Sequence, residues 1–543
     1  MNIQINEQHC TGCSYCVLNC PEAAIELIID EHVWPVIDSS KCTECGECLY
    51  SCPNNVFDDP KLWSPPVPLK EQYDAIIIGA GIGGLMTGAG LAKAGKDVLI
   101  LEQLSYIGGK YTHLNHQGYS ISTAAWTCPG TNSRIGKLCN KLGAKIDWIT
   151  IQDTGDEDQK AGNQLFVIKD GPRFHSLDDA QEHIIGGKKA MKQVYAWMAD
   201  MFNPNQTYPK EMTAREYIQK FVPDNEDYEN YVQTIITYCF ASQTVDNFSA
   251  MELKKAIVDS IDQMTEWGAA RGGTKAIIQG IEGVIRKHNG TIALRTRVEN
   301  ILLREGKAVG VKLADGREIH ADIIIHNAGL NRLKTLVGIN NLPEDYVKRL
   351  HAAIPANVGA IVLGTSEPLL GKEHSLLHTM GWEPTLNCYS PTYFDPGMAP
   401  EGKSVLDVFW VMEPPYHMGQ EVESVLKQLH EVFPDFDDVV EMQNPMFFTG
   451  TWTAEMAHRM GQSGDDRLNP ITPIDQLYFV GYDAIGYGIA GDIIPHNVEH
   501  VLYHILKDET YAPEDEKFSK RFSHWLKSVL LRVVAFSQSL KKD

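Results

Sequence analysis

The stretch from Asp74 to Gly109 constrains this chain more than any other. It reads Asp-Ala-Ile-Ile-Ile-Gly-Ala-Gly-Ile-Gly-Gly-Leu, runs through small residues to Gly95, and resumes as Asp-Val-Leu-Ile-Leu-Glu-Gln. Ala75 to Ile78 has the pattern of a strand buried on both faces, and Gly79, Gly81 and Gly84 follow at G-x-G-x-x-G spacing. Glycines so placed permit a tight turn around Ala80, close approach of a pyrophosphate, and close packing of helix on strand. The helix then turns unpaired N–H groups and its positive dipole end towards the phosphates. Val98 to Leu101 reads as a second strand; Glu102 and Gln103 follow, and the Glu102 carboxylate can accept both hydrogen bonds of a ribose diol. A membrane span from Ala75 to Gly95 has a suitable length, but its glycines and the following strand argue against it.

Ahead of this stretch lies a second pattern. Cys10, Cys13, Cys16 and Cys20-Pro21 follow C-x2-C-x2-C-x3-C-P, and Cys42, Cys45, Cys48 and Cys52-Pro53 repeat it. Eight of the 12 cysteines therefore precede Pro53, a clustering that asks for metal and not for disulfides. The spacing is that of bacterial two-cluster ferredoxins, in which the fourth cysteine of each run ligates the other cluster. That crossover assigns Cys10, Cys13, Cys16 and Cys52 to one 4Fe-4S cluster, and Cys42, Cys45, Cys48 and Cys20 to the other. Zinc knuckles are the alternative, though zinc sites rarely use two four-cysteine runs with proline endings. Glu44 and Glu47 add negative charge beside the second run, which disfavours reduction there. Two clusters in one small module form a conduit for single electrons; a purely structural role is the alternative.

At 543 residues the chain is too long for one ordinary core. Its net charge of −22 makes nucleic acid an unsuitable partner, because counterion release needs a basic face. The start lacks the basic and apolar regions of a signal peptide, so a cytoplasmic location is expected.

After Glu102 come Gly108, Gly109 and Lys110, which resemble the Gly-Gly-Arg of the flavin amine oxidase and phytoene desaturase superfamily. Lys110 departs from it, being a point charge and not a planar fork, yet it can still neutralise a pyrophosphate. Gly272-Gly273-Thr274 opens a helix to about His288. Strands then follow over Thr291 to Leu294, Thr296 to Ile301, Ala308 to Leu313 and Ile319 to His326, ending in Asn327-Ala328-Gly329. This order resembles the second half of the flavin domain of phytoene desaturases, carotenoid isomerases and retinol saturases. Leu477-Tyr-Phe-Val-Gly481-Tyr-Asp483 and the glycine-rich run to Gly491 resemble the closing motif of that family. The resemblance implies FAD, with the backbone at Val298 against the adenine and Asp483 on the ribityl or phosphate region. It also implies a helix N-terminus near Ala490 to Ile493 facing the flavin N1 and O2 edge, where a positive dipole end favours the anionic reduced flavin. The loop holding Trp126 passes near the isoalloxazine in that family; core packing is the other role open to Trp126.

The fold class expected is α/β: a Rossmann-like FAD-binding domain with an inserted mixed α/β substrate domain, preceded by a small ferredoxin-like domain. The boundaries are 1–57 for the ferredoxin domain and 58–72 for a proline-rich, semi-rigid linker. The FAD-binding domain comprises 73–150, 266–335 and 470–510, and the substrate domain 151–265 and 336–469. Gly118 to Ser122 is expected to add a strand to the flavin domain. Met191 to Phe202 is an apolar helical stripe, either core or the lining of a cavity for a bulky apolar ligand. Phe409-Trp410-Val-Met suits a sheet at a pocket floor. Tyr416, His417, His458 and His496 are possible proton donors, although histidines in such regions are more often structural. Cys128, Cys139, Cys239 and Cys388 share no ligand spacing and read as inert.

In the tail, 511–543, Phe518, Phe522, Trp525, Leu526, Val529, Leu530, Val533 and Phe536 recur every three to four residues between Lys520, Arg521, Lys527 and Arg532. This basic amphipathic segment reads as an interfacial membrane helix, or as one that docks on its own domain or on a twin subunit in a homo-oligomer.

No second G-x-G-x-x-G with strand and acid follows the first, which counts against a separate nicotinamide domain. An external low-potential partner such as a ferredoxin is therefore expected to exchange electrons through the clusters. The resemblance implies chemistry on carbon–carbon double bonds of apolar isoprenoid or polyene molecules, and the fused ferredoxin favours reduction. The alternatives are a dehydrogenase passing electrons outward to a ferredoxin, an electron-transfer flavoprotein or a quinone, and a non-catalytic prenyl-binding protein of the Rab escort and GDP-dissociation-inhibitor kind.

Overall fold

The computed structural model describes residues 4–58, 63, 67–125, 130–150, 164–242, 244–263, 268–450, 452–512 and 518–540. Its organising layer is a seven-stranded sheet among the described residues. Gln72–Ile78 lies between Val98–Leu101 and Glu318–His326, parallel to both. Thr291–Ala293 extends one edge beside Val98–Leu101, and Leu477–Phe479 adds in parallel to Glu318–His326. The antiparallel strands Val298–Arg304 and Lys307–Leu313 complete it. Ala75 to Ile78 and Val98 to Leu101 are fully buried, as a strand covered on both faces requires. The helices Ile82–Lys93, Gly273–Lys287 and Ile494–Leu506 share one apolar core against the sheet; Leu330–Val337 packs on the opposite face.

Gly118 to Ser122 does not join this sheet. Tyr119–Ser122 pairs only with His113–His116, as a separate two-stranded ribbon. The edge beside Val98–Leu101 is already occupied by Thr291–Ala293, and the apolar side of the ribbon, Tyr119 and Ile121, packs instead beneath the second large sheet.

That second sheet also has seven strands among the described residues. Asn357–Thr365 pairs antiparallel with Ser404–Met412 on one side and Val440–Phe448 on the other. Every residue of Asn357–Thr365 and Ser404–Met412 is buried. A helical layer covers part of it, including Met191–Met201, Glu226–Phe240 and Ala250–Gln263. Thr213 and Glu216 form the expected capping box at the start of Ala214–Gln219. The Met191 to Phe202 stripe is core: Val194, Trp197, Met201 and Phe202 bury into the helical layer.

At the N-terminus, the short helices Tyr15–Leu18 and Glu47–Ser51 each enclose the third cysteine of a run, and the hairpin Ile25–Ile29 with Val33–Ile37 lies beside them. The module is docked through contacts of its own. Ser14 Oγ donates to the Pro445 carbonyl at 2.6 Å, and the Phe447 N–H donates to the Gly12 carbonyl at 2.9 Å. Arg295 pairs with Glu47 at 2.8 Å and lies over the Tyr50 ring. Most of the proline-rich linker lies outside the described residues, but Trp63 is buried against Tyr50, with the Arg297 guanidinium over its ring. Among the described residues no helix is long and apolar enough to cross a membrane. The C-terminal helix Phe518–Leu540 lies against Met191–Met201.

Candidate functional site

A cavity of about 850 Å³ runs along the carboxyl ends of the parallel strands. One part of its wall is the glycine turn, Gly79, Gly81 and Gly83, with Glu102, Gln103, Val298, Gly109 and Lys110. Another is Gly481, Asp483, Ala490 and Gly491. Ala80 and Gly84 stand directly behind: the Ala80 N–H donates to Glu102 Oε2 at 2.7 Å, and a Cβ on Gly84 would meet the Gly79 carbonyl oxygen at 2.3 Å. The local sequence therefore folds as its spacing predicts, because only glycine fits where helix crosses strand this closely.

Asn327, from the end of Glu318–His326, knits the turn together. Its Nδ2 donates to the Val480 carbonyl at 2.8 Å, and a Cβ at Gly81 would lie 2.6 Å from its Oδ1. That Oδ1 is buried without a hydrogen-bond partner at the cavity wall, an acceptor that a bound dinucleotide can satisfy. Glu102 accepts the Ala80 and Leu104 N–H groups, one on each oxygen, and each oxygen keeps a lone pair for a ribose hydroxyl. The donors and acceptors present fit FAD.

Lys110 is more constrained than the sequence implies. Its Nζ donates to the Thr453 carbonyl at 2.5 Å and lies 5.1 Å from the centre of the Trp452 ring. Burial pulls its pKa down, while Asp483 and Glu455 hold it up. Asp483 Oδ1 accepts the Met456 N–H at 2.8 Å, and Glu455 Oε2 accepts the Asn331 N–H at 2.9 Å. Two buried acids thus share one lysine, and burial, with Asp483 next in strength, pushes Glu455 up to about 7. Sequence reasoning missed Glu455, since Thr-Ala-Glu in a long loop carries no periodic or motif signal.

Ile493 does not reach the cavity. It is fully buried in the core, and the Ala490–Ile493 turn carries Asp492 the other way, where its carboxylate accepts the Arg134 and Ile135 N–H groups at the start of Arg134–Leu142. A single-turn 3₁₀ segment points successive side chains in different directions, so Ala490 and Ile494 line the cavity and Ile493 does not.

Of the possible proton donors, Tyr416 alone lies in the cavity wall; its phenol bonds Thr449, and burial raises its pKa. His417 caps Met418–Val432 and faces Asp30 of the N-terminal module at 3.6 Å, so it belongs to an interface. His496 lies outside the wall, its pKa pushed down to about 4 by burial and by Arg134. His458 is fully buried, 2.5 Å from Glu252, behind the Tyr482 ring. Trp126 and Cys128 lie outside the described residues. Cys139 and Cys388 are buried, and Cys239 lies in the cavity wall with Tyr238, Phe240 and Ala241. With Val358, Phe409, Phe448 and Trp452 these give the cavity a large apolar lining beside its polar nucleotide residues. Phe409 faces the cavity while its neighbour Trp410 turns into the core, the alternation expected of a strand.

The same cavity reaches the N-terminal module at Cys10, Thr11, Pro53 and Asn54. Gln103 Nε2 donates to the Pro53 carbonyl at 2.9 Å, tying the nucleotide acid's neighbour to the second cysteine run. Cys52 acts electrostatically on Cys10, Cys13 and Cys16, whereas Cys48 is acted on by Cys45, Cys42 and Cys20 and itself acts on Cys16. Burial is the larger cause in each case, pushing Cys10 up to about 11 and Cys48 up to about 12. Four crowded thiols in an apolar setting resist ionisation unless a cationic centre takes the thiolates, and this donor set fits an iron–sulfur cluster. Cys20 Sγ accepts the Ala24 N–H and Cys52 Sγ the Val56 N–H, each at 3.3 Å, the kind of contact that tunes a cluster's potential. Among the described residues no three ligating side chains converge on one point as a single-ion site requires.

Residues 82–491 match the flavin-containing amine oxidoreductase family. The chain belongs to that family. Residues 9–56 match the 4Fe-4S dicluster domain. It is accordingly an FAD-dependent oxidoreductase carrying two 4Fe-4S clusters in its N-terminal module. This flavin amine oxidoreductase is similar to prolycopene isomerase of Daucus carota, at 24% identity over 383 residues, 62% of this chain and 61% of that protein. It is also similar to all-trans-retinol 13,14-reductase of Danio rerio, at 24% identity over 301 residues, 48% of each chain. The chain thus spans less than two thirds of the length of these relatives. An oxidoreductase from Methanosarcina mazei has the same fold, with a TM-score of 0.69 at 23% identity over 79% of this chain and 99% of that one.

Proposed function

We propose that this oxidoreductase saturates a carbon–carbon double bond of an apolar, isoprenoid- or polyene-like molecule, drawing electrons from an external low-potential donor such as a ferredoxin. One observation carries the reading: a single cavity is lined by the dinucleotide turn, by Cys10 and Pro53 of the dicluster module, and by aromatic residues. When bound, the clusters supply single-electron transfer, and FAD supplies the conversion of two such transfers into a hydride. Cys10, Cys13, Cys16 and Cys52 hold the inner cluster. Cys20, Cys42, Cys45 and Cys48 hold the outer one, where the exposed Cys45 gives a redox partner its approach. Glu102, Val298, Gly81, Lys110 and Asp483 hold and orient the dinucleotide. Tyr238, Phe240, Phe409 and Phe448 exclude water and receive the apolar substrate, a surface with few polar anchors that suits a hydrocarbon chain. Tyr416, whose pKa burial raises, lines the cavity and is the candidate proton donor there. The names of the relatives support the substrate class, since prolycopene and retinol are both polyenes.

The test is anaerobic reduction of the purified enzyme with a low-potential donor, followed by addition of apolar unsaturated compounds. Reoxidation of the flavin with recovery of a saturated product is the expected result. If saturated compounds bleach the oxidised enzyme instead, the reaction runs as a dehydrogenation and the proposal is wrong in direction.

A further inference from the structure

The C-terminal helix Phe518–Leu540 lies beyond the family match and is not used by the site described above. It is held to the protein by an unexpected face. Among the residues of this helix whose burial is described, His524 and Ser528 are buried: Ser528 Oγ donates to the Ala199 carbonyl at 2.6 Å, and the His524 ring packs on Phe202. Leu531, one turn on, joins the core of the helical layer. The large apolar residues are on the other side. Trp525, Leu526, Leu530, Val533 and Val534 are all between 40% and 60% exposed, and they make up half of the large exposed apolar residues among those described.

The angular arrangement is orderly. At about 100° per residue these five positions occupy one half of the helix circumference, opposite His524 and Ser528. Lys527 and Arg532 fall on the two borders of that half. The Lys527 ammonium turns inward over the Phe202 ring, 5.1 Å from its centre, while Arg532 is exposed at the other border. An apolar arc with an exposed cation at its margin is the pattern of a helix lying in the plane of a lipid interface, its apolar side in the acyl boundary and its cation at headgroup level. On a protein of net charge −22, Arg532 makes this the face that suits an anionic surface.

We propose that the exposed half of the helix, from Trp525 to Val534, docks this enzyme on an anionic lipid surface, as an interfacial helix and not a span. The helical layer beneath it also contributes Cys239 and Phe240 to the cavity wall, and docking would bring that layer to the lipid in which an apolar substrate dissolves. That purpose rests on the substrate class proposed above, whereas the docking stands on the helix alone.

The test is cosedimentation of the full-length, cofactor-loaded enzyme with vesicles of phosphatidylcholine, with and without phosphatidylglycerol. Binding to the phosphatidylglycerol vesicles, weakened by salt, is expected. L530E/V533E is expected to lower it at least tenfold, and R532E to reduce the preference for phosphatidylglycerol, both with unchanged flavin and iron content. No sedimentation with either vesicle overturns the proposal. So does a concentration-dependent dimer that L530E/V533E converts to monomer, which would assign the face to a second copy. Neither result bears on the substrate reaction, whose failure would in turn leave vesicle binding intact.

Discussion

Tyr15, one residue before the cluster ligand Cys16, meets Trp452 of the flavin cavity edge-on, their ring centres 5.9 Å apart. Its hydroxyl donates to the Thr123 carbonyl, and the side chain is fully buried. Tyr15 is thus one of the contacts that fix the cysteine module against the flavin cavity. Tyr15→Phe keeps the ring contact but leaves a buried carbonyl unpaired, a cost of about 1–3 kcal/mol. Tyr15→Ala also opens a cavity, at about 3–5 kcal/mol. Anaerobic thermal unfolding should show the midpoint falling in that order; equal midpoints would remove Tyr15 from the docking.

The crossed ligation that the cysteine spacing implies would make Cys52 a partner of Cys10, Cys13 and Cys16. Cys52→Ala should therefore remove the buried inner cluster, and Cys45→Ala the outer one. Each variant should lose about half of its iron. Only Cys45→Ala should leave the cavity-facing cluster visible by electron paramagnetic resonance. If Cys52→Ala instead disrupts the cluster held by Cys42, Cys45 and Cys48, ligation follows each run without crossing.

A methyl at Gly84 would sit 2.3 Å from the Gly79 carbonyl oxygen, and backbone cannot rotate away as a side chain can. Gly84→Ala should cost about 1–3 kcal/mol and force the helix Ile82–Lys93 off the turn. The flavin-to-protein ratio of purified material should drop severalfold, measured by absorbance. Gly283→Ala, where nothing lies within 4 Å, is the control expected to keep full flavin content.

Glu455 has its pKa raised by burial from the ordinary 4.5 to about 7. The folded state therefore holds this proton more tightly than the unfolded chain. Its contribution to stability is complete below pH 4.5 and is lost as pH rises to about 7. The unfolding midpoint should fall across that window, and Glu455→Gln, which stays neutral, should flatten the fall. A wild-type profile unchanged by the substitution would show that the carboxyl is already ionised at low pH.

Much of this protein is written in short spacings. G-x-G-x-x-G with a terminal acid, and C-x2-C-x2-C-x3-C-P given twice, work because the interacting atoms lie within one turn or one strand–helix unit. Local geometry then decides the outcome, and Gly79, Gly81, Glu102 and the eight cysteines fell where their neighbours in the chain required. The turn of Phe409 towards the cavity and of Trp410 into the core was legible for the same reason.

Contacts between distant segments were decided by the tertiary structure. Glu455 meets Lys110 across 345 residues of chain, and Asn327 fills the space that four glycines leave open. Neither pairing has a period to read. The ribbon Tyr119–Ser122 was turned away from the flavin sheet because another strand held the edge, and Ile493 was drawn into the core by the hand of a single turn. Sequence by itself determined which cofactors the chain can hold, since those ligands are local. Folding alone decided that Cys10 and the dinucleotide turn open onto one cavity, and that the C-terminal helix shows its apolar side outward, since both depend on which surfaces are already covered when the segments meet.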